Sequence, residues 1–85
     1  MSTVHNYYEN LVFSQIRKQT AQLNLILDQE QFEDAACLAL NRLPPRYVRF
    51  DVDTTFYLSY DEMMDIERRV VAAVTEALAI VRQPS

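Results

Sequence analysis

Eighty-five residues fit one domain, so residues 1–85 are read as a single unit. Apolar residues make up 49% of the chain, which excludes a disordered tail. Eight basic residues against twelve acidic ones give a net charge of −4, which sets the chain against general DNA or RNA binding. A domain this small buries a modest fraction of its surface, and self-association is a common remedy. Cys37 is the sole cysteine, so neither an intrachain disulfide nor a cysteine-rich zinc site is expected. The opening "MSTVHNYYEN" has neither the basic nor the apolar region of a signal peptide. No apolar run approaches the roughly 20 residues needed to cross a bilayer. The expectation is a cytoplasmic, bacterial-style protein with no cofactor, no metal and no membrane partner. Glycine is absent, which disfavours tight hairpins and argues for helices joined by proline-stiffened turns.

In the first segment Tyr8, Leu11, Val12, Ile16, Leu23 and Leu27 recur at gaps of three and four. That spacing predicts an amphipathic helix over about 6–27. Asp28 with Gln31 forms a capping box for a second helix over about 29–43. Its apolar face would carry Phe32, Ala36, Ala39, Leu40 and Leu43, and its alanines allow close approach of a neighbour. Pro44 and Pro45 end it, because proline lacks an amide proton and clashes with the preceding turn.

The period then shifts to two. Val48, Phe50 and Val52 alternate with Arg49, Asp51 and Asp53, which reads as an extended segment or short strand over about 47–58. A lone strand leaves its hydrogen-bonding groups open, so its simplest partner is the same strand of a second copy across a twofold axis. The alternative is an extended connection solvated along one side. Ser59 with Glu62 caps a third helix over about 60–82. Met63, Ile66, Val70, Val74, Ala77 and Val81 form its stripe, widened by Val71 and Leu78. Asp61, Glu62 and Asp65 complement the positive end of its dipole. The fold class is mainly α: three helices, one extended segment, and a homodimer.

The string "ALNRLPPRYV" (residues 39–48) resembles the signature of the late competence development ComFB family. The layout is similar as well: paired tyrosines (Tyr7, Tyr8) and "ENLV" open the first helix, and the signature precedes the last one. The resemblance implies a small, mainly helical homodimer. It also implies, from cyanobacterial relatives, a receptor for cyclic dinucleotide second messengers, chiefly cyclic di-GMP. The zinc-binding cysteine cluster of some members is not carried over, since only Cys37 exists here.

Such a ligand presents two phosphates and two planar bases. Arginine forks onto phosphate oxygens and stacks on rings. Tyrosine offers a stacking plane, and a carboxylate accepts from a guanine edge. Asn41, Arg42, Arg46, Tyr47, Arg49 and Asp51 gather these parts in one stretch, with Asp53 close by. Each has a plainer alternative. Arg42 and Arg46 can pair with carboxylates or cap helix carbonyls, and Tyr47 can pack in a core or interface. Asn41 can bond at the helix terminus, and Arg49, Asp51 and Asp53 can pair among themselves. Pro44 and Pro45 fix the direction of the arginines, which reduces the ordering cost of binding.

Elsewhere the chemistry is thin. His5 sits in a terminus expected to fray, Cys37 reads as a small buried hydrophobe, and Met63 and Met64 as core filler. "DVDTT" lacks the glycine and distal glutamate of a calcium loop. No nucleophile–base pair or phosphate-cradling glycine loop is present, so no enzymatic activity is expected. The expected partners are a second copy, a cyclic dinucleotide and a regulatory protein, with no nucleic acid. The alternative function is a ligand-free dimeric interaction module or a competence-related accessory protein.

Overall fold

The computed structural model describes residues 4–48 and 58–82. Among them the order is β1 (His5–Asn6), α1 (Tyr8–Gln22), α2 (Gln29–Asn41), β2 (Tyr47–Val48) and α3 (Tyr60–Val81). The protein is mainly helical, as the apolar spacing predicts. Both helices are capped where read, α2 by a full capping box and α3 by the Ser59 side chain without the reciprocal bond to the Ser59 amide. The Asp28 carboxylate accepts from the Gln31 amide at 2.8 Å, and the Gln31 side chain accepts from the Asp28 amide at 3.0 Å. At α3 the Ser59 hydroxyl oxygen accepts from the Glu62 amide at 3.1 Å.

The first helix ends earlier than the apolar stripe suggests. Asn24 takes the left-handed conformation, with φ 52°. The Leu25 amide donates back to the Thr20 carbonyl at 2.9 Å and the Asn24 amide to Ala21 at 3.3 Å. This is a Schellman closure with asparagine in the usual glycine position, tolerated because its short polar side chain suits that region. Leu23 consequently leaves the stripe and stands exposed. Asn24→Ala is expected to lower the unfolding free energy by about 1 kcal/mol in a urea titration, whereas Asn24→Gly should hold it.

The core lies between the three helices. Tyr8, Val12 and Ile16 come from α1; Ala35, Ala36 and Ala39 from α2, continued by Leu43; Ile66, Val70, Ala73, Val74, Ala77 and Leu78 from α3. Alanines on the facing sides of α2 and α3 let these backbones approach closely, and this pair shares the most extensive contact. At the other flank Phe13 and Phe32 lie 6.1 Å apart, and the Arg17 guanidinium sits 5.5 Å over the Phe32 ring.

Four expectations change. Cys37 is exposed, because the buried positions Ala35, Ala36 and Ala39 occupy the other side of α2. Met63 and Met64 are exposed too, and neither belongs to the buried core; Met63 lies at the margin of α3 that faces α1. His5 belongs to a ladder and is not part of a frayed end. Lastly, β2 finds its partner within the chain: β1 pairs with it antiparallel, His5 opposite Val48 and Asn6 opposite Tyr47. The remainder of the expected strand, residues 49–57, lies outside the described residues.

Candidate functional site

The signature forms the corner between α2 and β2. Helix α2 stops at Asn41, with Arg42 as C-cap and the Leu43 amide donating to the Leu40 carbonyl at 3.2 Å. Pro44 forbids a further turn, and as the residue before it Leu43 is steered out of α geometry. The Leu43 side chain is buried and anchors the corner, while Pro44, Pro45, Arg46 and Tyr47 are exposed.

Asn6 ties this corner down. Its side-chain oxygen accepts from the Tyr8 amide at 3.1 Å and from the Arg46 amide at 3.2 Å. The Tyr7 amide donates to the Arg46 carbonyl. One carboxamide therefore joins the start of α1 to the turn 40 residues away. Both main-chain groups of Arg46 face inward, so its side chain is left outside. Asn6→Ala is expected to cost about 1–2 kcal/mol in thermal unfolding, since two amides lose their acceptor. Asn6→Asp should retain most of it, because a carboxylate still accepts both bonds and suits a helix N-terminus.

The structure distributes the sequence candidates unevenly. The Arg42 Nη1 lies 3.0 Å from the Glu76 Oε1, with the two side chains 40% and 57% exposed. Carboxylate pairing, the plainer of its two readings, is thus present, but in the open. The Arg46 guanidinium has no ion-pair partner among the described residues. Tyr47 is 70% exposed, so its ring is not part of the protomer core. Asn41 is exposed at the end of α2, and its side chain has no hydrogen-bond partner among the described residues. Arg49, Asp51 and Asp53 lie outside the described residues.

Beside Arg42 is an open hollow of about 350 Å³, lined by Arg42, Leu43, Pro44, Arg69, Ala72, Ala73 and Glu76. Arg69 is a second cation there that the sequence reading missed. It lies on the α3 face made by residues 69, 72, 73 and 76, a spacing of three, one and three. That face was legible as small and polar, but nothing local connects it to the signature. The Asp65 Oδ2 holds the Arg69 Nε at 3.0 Å, and the Asp65 Oδ1 is 3.5 Å from Arg68. Asp65 thus pairs with its own helix in addition to facing the dipole.

A second hollow, about 300 Å³, runs between α1 and α3 and is lined mainly by Tyr7, Leu11, Met63, Ile66 and Val70, with Lys18 and Glu67 at its edges. Among the described residues no group of three His, Cys, Asp or Glu side chains is placed to hold a metal ion. No helix among them is long and apolar enough to cross a membrane.

With this geometry in view, the comparison with known families is decisive: the late competence development protein ComFB family matches residues 5–84. The chain belongs to the ComFB family. The match takes in Asn6, the whole signature and α3, so the tethered corner falls within the family's extent. No curated protein and no solved structure matches the chain.

Proposed function

We propose that this ComFB-family chain is a cytoplasmic regulatory protein, not an enzyme, that binds a cyclic dinucleotide second messenger as a homodimer. Cyclic di-GMP is the foremost ligand, and the bound state is passed to a regulatory partner protein. One observation carries the reading. The corner's main chain is tied inward through Asn6, while the Arg46 guanidinium and the Tyr47 ring face solvent from a proline-stiffened turn. Cations and a stacking plane held in place before the ligand arrives lose little entropy on binding. The hollow between Arg42 and Arg69 adds room for a phosphate beside that turn. A twofold pair of protomers would present two such corners to a ligand that is itself nearly twofold symmetric.

Titration calorimetry with cyclic di-GMP and cyclic di-AMP, paired with sedimentation in the presence and absence of each, tests the proposal. The expected result is a dimer that gives saturable heat with cyclic di-GMP. Ligand at 100 times its dissociation constant should add about 2.7 kcal/mol to stability, visible as a higher melting temperature. Absence of heat and of any melting shift with both nucleotides would remove the ligand from the proposal.

A separate observation favours a second reading. Tyr60, Met63 and Met64 stand exposed along the start of α3, next to the apolar hollow against α1. Exposed methionines adapt to a partner's shape, which suits a ligand-free dimeric interaction module or accessory protein. In that case Met63→Glu should shift the sedimentation coefficient toward a monomer while nucleotides leave the melting temperature unmoved.

A further inference from the structure

We propose that Glu76 is the built-in competitor for the anion at Arg42, and that Arg69 completes the anion subsite once Glu76 has been displaced. This rests on the ligand reading above and names how that site is held in its unliganded state.

Among the described residues, three ion pairs are formed. Two lie within α3 and join Asp65 to Arg68 and Arg69; only Arg42–Glu76 connects two elements. It spans the hollow's edge, and both of its members line that hollow. Pairs exposed to this degree contribute little to stability, so Glu76 can swing into water at small cost. A phosphodiester seeks the same guanidinium nitrogen that Glu76 holds at 3.0 Å, because carboxylate and phosphate oxygens use one fork geometry. The two anions cannot share that edge without repulsion.

Across the hollow, Asp65 engages Arg69 through Nε. Its two terminal nitrogens carry further donors, and Arg69 also lines the hollow. Ala72 and Ala73 add little bulk to the lining beside the two arginines, and Pro44 lines it from the turn. A volume of about 350 Å³ is at the lower end of ligand sites and suits one phosphoester with its sugar. The chemical class that fits is therefore a nucleotide phosphoester, with Glu76 setting how strongly it must compete.

The experiment titrates wild type, Glu76→Gln and Glu30→Gln with inorganic pyrophosphate and with cyclic di-GMP at fixed ionic strength. Glu30 is exposed in the first turn of α2 and lines neither hollow described above, so its variant controls for the lost charge. Glu76→Gln should bind each probe about three- to fivefold more tightly, the scale of one exposed ion pair, while Glu30→Gln stays close to wild type. Tightening of pyrophosphate alone upholds the competitor role and removes the cyclic dinucleotide. Cyclic di-GMP binding that Glu76→Gln leaves unchanged, or that Glu30→Gln improves equally, overturns the competitor role and keeps the ligand. No binding of either probe to any variant overturns both.

Discussion

Truncating Ile16 to alanine is expected to lower the unfolding free energy by about 2–5 kcal/mol, the range for removing a large aliphatic side chain from a packed core. Ile16 is 0% exposed and belongs to the cluster that locks α1 onto α2 and α3. Small domains have total stabilities of about 5–15 kcal/mol, so this one change removes a large share. In a chain of this size each kcal/mol moves the melting temperature by about 4–8 °C, which makes a fall of 10 °C or more the expected reading. Ile26→Ala is the matched control. Ile26 is 92% exposed, and its removal should leave the curve within about 0.5 kcal/mol of wild type. Both proteins are compared at equal concentration, because the homodimer proposed above would couple melting to protomer concentration. A loss below 1 kcal/mol at Ile16 would mean that α1 packs more loosely than the buried cluster indicates.

How far the sequence discloses this fold depends on the distance over which each feature acts. Both caps are legible because their hydrogen bonds close over three residues, Asp28 to Gln31 and Ser59 to Glu62. The stop at Pro44 and Pro45 is legible for the same reason. The end of α1 is harder to read, since asparagine at 24 only permits a left-handed residue, and Leu23 and Leu27 continue the apolar rhythm past it. Cys37 follows from angular arithmetic once Ala35, Ala36 and Ala39 are fixed as the inner face, but three small residues in a row do not disclose which face that is. The β1–β2 ladder has no periodic signal at all: it pairs only two residues on each strand, His5–Asn6 with Tyr47–Val48, across a long stretch of sequence. Of the site, the signature half was visible as a dense group of cations and one tyrosine. The half on α3, Arg69 and Glu76, becomes visible only when tertiary packing places that helix beside the corner.

The double variant Arg42→Ala/Arg46→Ala is expected to weaken cyclic di-GMP binding by at least about 100-fold. Each arginine-to-phosphate hydrogen bond contributes about 1.5–3 kcal/mol, and 1.4 kcal/mol corresponds to tenfold in affinity. Stability should respond very differently. Arg46 has no ion-pair partner among the described residues, and the exposed Arg42–Glu76 pair is worth at most about 1 kcal/mol. The melting curve of the free protein should therefore move by no more than a few degrees while the binding heat disappears. That divergence separates a ligand site from a folding corner, because a structural role for the arginines would lower both together. Arg46→Lys refines the test. It keeps the charge but loses the planar fork, so an intermediate loss indicates bidentate recognition, and full retention indicates general electrostatic attraction. Undiminished binding in the double alanine variant would place the nucleotide elsewhere on the protein. The apolar hollow between α1 and α3 would then be the next surface to probe, with Lys18 supplying its cation.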